Sequence, residues 1–220
     1  MKWFYKIYQY IAFLILYPLS IYLWYLELHS LKKVLLIVLM PLVVAYIIPF
    51  LGTNVTKLWR FNTRFKLGNF RIYHGFVLSA FVNLFGYILF VISPTYKNLL
   101  ELFFFALISG SFMGFWNWYY DIYAVKSGFM VVNNKLAYEK KSAHEIVTDY
   151  APIYFFLFGF LYGIYIKVLE YQFINPIKNF WIVELVLIIC SLVFPTLIYA
   201  IISKIKNGVW GISQYKEAKK

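Results

Sequence analysis

The sequence predicts an all-α integral membrane protein of six transmembrane helices, with both termini in the cytoplasm and a longer cytoplasmic loop between the fourth and fifth helices. Three observations predict it. Of 220 residues, 63% are hydrophobic and 14% charged, where a soluble domain carries about 25% charged residues. Mean hydropathy is +0.70, so a water-soluble globule would expose large apolar patches, and a disordered chain is excluded by lack of polarity. The charges fall between apolar runs long enough to cross ~30 Å of hydrocarbon as helices, which satisfy their own backbone hydrogen bonds.

The uncharged runs define the elements in order. Ile7 to Leu26 lies between Lys6 and Glu27, and Val34 to Thr56 between Lys33 and Lys57. Ile72 to Tyr96 follows, then Leu102 to Tyr120 between Glu101 and Asp121. The fifth is Tyr150 to Ile166, extended toward Glu170 if Lys167 snorkels to the interface, and the sixth is Leu185 to Ser203. The expected spans are 7–26, 34–53, 74–94, 101–120, 151–170 and 182–203, in one polytopic domain covering 1–220. A β-barrel needs short segments alternating polar and apolar. Runs such as Val34–Leu39 and Ile182–Ile189 are apolar on both faces and exclude it.

Basic residues set the orientation. Sixteen of the 21 Lys and Arg fall on the two tails and the second and fourth loops, and the excess of Lys and Arg marks the cytoplasmic side. The same bias accounts for the net charge of +12 without a nucleic-acid partner. In a prokaryote the location would be the inner membrane. The second loop, Lys57 to Arg71, interleaves basic and apolar residues, a pattern suited to anionic lipids. Arg60, Arg64 and Arg71 are the candidates to hold an anionic head group. The first run, near Met1, has no small-residue cleavage site after it and reads as a retained anchor. Trp and Tyr near the span ends fit interfacial belts.

The fourth loop carries two local patterns. Phe129–Val132, Asn133-Asn134 and Lys135–Tyr138 predict a short hairpin. Ser142-Ala143-His144-Glu145 is a capping box that opens a short surface helix, with a break before Pro152 and the fifth span. Pro18, Pro41 and Pro195 are expected to kink their spans.

Helical spacing then points to one site. Gly110 and Gly114 on the fourth span, and Gly159 and Gly163 on the fifth, each have the small-xxx-small spacing that brings backbones together, so these two helices should pack closely. At ~100° per residue from Gly110, Gly114 lies at about +40°, Asn117 at about −20° and Asp121 at about +20°. The glycine stripe thus runs into Asn117 and Asp121, and Asp149 begins the neighbouring span at the same depth, preceded by His144 and Glu145.

Each of these has an ordinary structural role available. Asp149 suits a helix N-terminus, Glu145 completes the capping box, and His144 sits on a polar loop. Asp121, at a helix C-terminus on a packed face, needs a cation, a metal or a proton. As a chemical site, Asp121 and Asp149 would bind a divalent cation such as Mg²⁺ or Mn²⁺, and His144 or Glu145 would serve as acid–base group. His144-Glu145 opens like the HExxH of zinc metalloproteases, but Thr148 stands where the second histidine belongs. The single Cys190 excludes a disulfide framework and cysteine metal sites.

The leading functional expectation is a cytoplasm-facing polar pocket between the fourth and fifth helices, under the basic second loop, that binds or processes an anionic lipid-like ligand. The alternatives are a small-solute or ion transporter, with Glu101, Glu170 and Glu184 at an outer vestibule, and a structural or accessory subunit held to a membrane-protein partner or to its own copies by its aromatic surface.

Overall fold

The computed structural model describes residues 2–93, 98–175 and 177–216. Lys97, Lys219, Lys220 and the side chain of Lys2, which enter the charge count, lie outside the described residues, as does Pro94 at the end of the expected third span. Six helices are long and apolar enough to cross a membrane: Trp3–Leu28, Leu31–Val55, His74–Ile92, Leu99–Lys126, Ala143–Ile174 and Phe180–Asn207. Among the described residues, strands are confined to two separate two-stranded pieces, and no closed sheet forms. The protein is a helical, multi-pass, aromatic-rich membrane protein.

Proline shapes two of the spans through the hydrogen bond it cannot donate. In the first, Pro18 sits just after a π-helical turn over Ala12–Leu16, which absorbs the break in the ladder. In the second, Pro41 and Pro49 lie within the helix, and a π-helical turn over Leu51–Val55 follows. In the turn before Pro41 the Val38 carbonyl accepts the Tyr17 hydroxyl at 3.2 Å and the Asn83 amide at 3.3 Å. Asn83, fully buried, also accepts the Tyr162 hydroxyl at 3.0 Å on its side chain and the Trp24 indole at 3.1 Å on its backbone. One asparagine therefore ties the first, second, third and fifth spans together in a region where lipid offers no hydrogen bonds.

The fourth and fifth helices make the most extensive helix pair. A Cβ built on Gly110 would lie 2.7 Å from the Phe156 carbonyl oxygen, and one on Gly159 would lie 2.6 Å from Met113 Cβ. One on Gly163 would come within 2.9 Å of Ala106 Cα. Only hydrogen fits at these positions. Gly114, 3.1 Å by the same measure from the Pro152 carbonyl, continues the seam.

At the end of the bundle opposite the tails, the structure corrects the expected snorkelling of Lys167. Its side chain is 0% exposed, with Nζ 2.8 Å from Glu170 Oε2 and over the Phe90 and Phe105 rings at 5.4 and 4.6 Å. A carboxylate three residues on, reinforced by two aromatic faces, replaces the interfacial water that a snorkelling lysine would seek. The three glutamates at this end part company for the same reason. Glu101 is exposed at a helix start capped by Asn98, whereas Glu170 is buried and Glu184, 8% exposed, accepts the Tyr165 hydroxyl at 3.1 Å.

The other end is a cap built from both tails and the second and fourth loops. Strand β1 (Trp59–Phe61) is followed by a tight hairpin of β2 (Lys66–Leu67) and β3 (Phe70–Arg71), turned at Gly68 with φ +63°. The predicted hairpin within 129–138 does not form. Instead β4 (Met130–Val132) pairs antiparallel with β1, Trp59 opposite Val132, and Lys135–Tyr138 is a helical turn capped by Asn134. An isolated hairpin has too little to pack against, whereas β1 and β4 bury Phe61, Met130 and Val132 with Tyr5, Phe129 and Ile146. The expected capping box is present: Ser142 and Glu145 bond reciprocally at the start of Ala143–Thr148, before a break and the helix Ala151–Ile174. The C-terminal tail closes the cap through backbone bonds from Gln214 to Thr56 and from Tyr215 to Asn133, both 2.9 Å.

Candidate functional site

Beneath this cap the helices do not fill the space. A cavity of about 390 Å³ lies among the six spans and the β1–β4 ribbon, with a wall mainly of Val, Ile, Leu, Phe, Tyr and Trp side chains. Gly52 admits the Trp59 ring against the end of the second span, which places this tryptophan over the cavity. Among the described residues lining it, the Lys, Arg, Asp and Glu side chains are two only, Arg71 and Asp121.

Arg71 ends β3 and reaches inward three residues before the third span begins at His74. It is 1% exposed. Its Nη2 and Nε donate to His74 Nδ1 at 2.7 and 3.3 Å. A guanidinium only donates, so Nδ1 is the acceptor and the imidazole carries its proton on Nε2. The guanidinium also stacks over Phe61 at 4.7 Å and Phe129 at 5.2 Å, residues of the cap itself. Its third nitrogen, Nη1, is buried without a hydrogen-bond partner. An unmet buried donor costs about 1–3 kcal/mol, more when charged.

Asp121 faces the same space from the fourth span. It is 9% exposed, and its Oδ2 accepts the Tyr150 hydroxyl at 2.8 Å. The helix continues to Lys126, so Asp121 lies inside the helix, not at its C-terminal end as the sequence suggested. The buried Ile122 and Ala124, which the cap covers, extend the packed face past the first charge. Arg71 is within electrostatic reach of Asp121, yet the two form no ion pair within 4 Å. Two more cavity-lining hydroxyls, those of Tyr120 and Tyr154, are buried and make no hydrogen bond within 3.5 Å, with Arg71 near the first and Thr196 near the second.

Asp149 is 6% exposed and held by three neutral donors: Asn207 Nδ2 at 2.7 Å, Tyr199 OH at 3.1 Å and Asn134 Nδ2 at 3.4 Å. These come from the sixth span and the fourth loop, so Asp149 fastens the cap to the bundle. Lys135 adds to the joint by donating to the Asn207 carbonyl at 3.0 Å.

The structure thus brings some of the expected residues together and separates others. Arg71, Asn117 and Asp121 line the cavity, although Asn117 spends its amide on the Met113 carbonyl of its own helix at 2.9 Å. His144 is exposed and packs edge-on against Trp118, and Glu145 is exposed with its carboxylate on Ser142. Neither lines the cavity, and the acid–base roles given to them have no support in this placement. Arg60 and Arg64 are exposed on the cap. Pairing of β1 with β4 turns Arg60 outward between the inward Trp59 and Phe61, by the alternation of a strand. Among the described residues no three His, Cys, Asp or Glu side chains converge as a metal site would require.

Sequence reasoning missed His74, Tyr150, Tyr154 and Tyr199. Tyrosines near span ends read as interfacial belts. The usable signal was the four-residue spacing of Tyr150 and Tyr154, which puts both hydroxyls on one helix face beside the Asp121 seam. No family model, curated protein or solved structure compared with this chain matches it.

Proposed function

We propose that this is a multi-pass protein of the cytoplasmic membrane, both termini inside, whose capped cavity binds or processes a lipid-like ligand bearing an anionic group such as phosphate. The observation that carries the reading is Arg71: a buried guanidinium whose Nη1 makes no hydrogen bond within 3.5 Å at the wall of a large apolar cavity. Arginine is the side chain best fitted to phosphate and carboxylate oxygens, and the aliphatic and aromatic walls suit an acyl or isoprenoid chain. The exposed Arg60, Arg64 and Lys66 on the cap would draw anionic lipid to the same face.

Binding is tested on the protein purified in an uncharged detergent. Dodecyl phosphate should raise the unfolding temperature in a saturable way, and dodecanol should not. Loss of a charged hydrogen bond, about 1.5–3 kcal/mol, corresponds to a roughly 10–100-fold weaker affinity in Arg71→Gln. Arg71→Lys, which keeps the charge but loses the fork on His74, provides a second variant and should also bind more weakly. Equal stabilisation by the alcohol, or unchanged affinity in both variants, refutes the reading.

Orientation has its own test. In a Cys190→Ser background, Lys66→Cys and Lys178→Cys place exposed thiols at opposite ends of the bundle. An impermeant maleimide should label position 178 in whole cells and position 66 only in inverted vesicles. The reverse pattern would place both termini outside.

A further inference from the structure

The ligand's polar end can be specified further, resting on the reading just given. The cavity is balanced, with one guanidinium and one carboxylate as its Arg, Lys, Asp and Glu lining residues among those described, and the two do not pair within 4 Å. A head group that is only an anion satisfies Arg71 Nη1 but brings a second negative charge into a desolvated space with Asp121. Like charges in such a space repel strongly. A head group carrying both signs meets both side chains and leaves the cavity neutral.

Asp121 is equipped for the cationic half. Its Oδ2 takes the Tyr150 hydroxyl, and no described residue donates to its Oδ1. The cavity wall also carries the rings of Tyr120, Tyr150, Tyr154 and Trp116, aromatic groups of the kind that attract an ammonium. The free carboxylate oxygen favours an ammonium that still has N–H bonds, because a quaternary nitrogen has no hydrogen to give it. The Tyr120 and Tyr154 hydroxyls, which make no hydrogen bond within 3.5 Å, lie in the same wall and can donate to phosphate oxygens.

We propose that the cavity selects a zwitterionic lipid head group, a phosphate joined by a short linker to a primary ammonium, with the phosphate on Arg71 and the ammonium on Asp121. The probes are dodecyl phosphate and dodecylphosphoethanolamine, titrated against the purified full-length protein and followed by thermal stability and by isothermal calorimetry. The zwitterion should bind at least about tenfold more tightly, the value of one charge-assisted contact. Asp121→Asn keeps an acceptor for Tyr150 and should bring the two affinities to within about twofold. Tyr154→Phe keeps the ring and removes a hydroxyl that makes no hydrogen bond within 3.5 Å, although Thr196 is near it, and should weaken both probes. The proposal is overturned if dodecyl phosphate binds as tightly as the zwitterion, or if the preference survives in Asp121→Asn. If neither probe binds, the lipid-phosphate reading itself fails and this one with it; if only dodecyl phosphate binds, that reading stands and the zwitterion alone is rejected.

Discussion

Gly159→Val, at a position that does not itself line the cavity, should destabilise the folded protein by about 3 kcal/mol, at the upper end of what overpacking costs. The Cβ would meet Met113 Cβ at 2.6 Å and the Ser109 carbonyl at 2.8 Å. One of those atoms belongs to backbone, so no side-chain rotation relieves the clash, and the helices must move apart. Separation loses van der Waals contact along the whole seam, and between membrane helices that contact is a main source of association. Equilibrium unfolding in mixed micelles measures the effect. Gly128→Ala is the matched control. Nothing lies within 4 Å of its added Cβ, and only its φ of +68° opposes the change, so about 1–2 kcal/mol is expected. An equal loss at both positions would mean that the seam contributes nothing of its own.

The second large effect is at the buried ion pair. Glu170→Gln removes the carboxylate 2.8 Å from an ammonium that is 0% exposed. Breaking such a pair costs about 3–5 kcal/mol, because the remaining charge is left in low dielectric. Adding Lys167→Met should recover most of the loss, since methionine fills the same channel between Phe90 and Phe105 and carries no charge. This non-additivity, read from the double variant against the two single ones, separates a buried pair from two interfacial residues that merely sit near each other. Additive losses would show that Lys167 reaches water after all.

Six spans could be read from the chain because the constraint behind them is severe. Backbone in hydrocarbon must bond to itself, so uncharged stretches such as Val34 to Thr56 have one available form. The glycine seam was legible for a similar reason: a four-residue spacing on two consecutive spans encodes close approach directly. What lay beyond reach depended on partners far away in sequence. Which of three arginines turns inward is decided by Trp59 pairing with Val132, and no local pattern in the second loop announces a strand 70 residues downstream. Lys167 looked like a snorkelling residue because hydropathy counts its charge but not its neighbour; the three-residue step to Glu170 was the overlooked sign. Asp121 was correctly placed on the packed face, but its hydrogen-bond partner is a tyrosine, a residue type too common here, at 21 copies, to single out by eye.

Asp149 draws its donors from Asn134, Tyr199 and Asn207, and strand β1 waits for β4. The order in which a ribosome delivers these residues has a consequence for the nascent chain. The first ribbon strand emerges with its edge open and stays so until two more helices are inserted. Even then the aspartate at the joint has only Asn134 to hold it until the final helix arrives. Completion of the last helix is thus what seals the lid: a product ending before β4 would present a bare strand edge, and one ending before the last helix an unsheltered carboxylate. Those are the features by which membrane proteases and insertases could tell an unfinished molecule from a finished one.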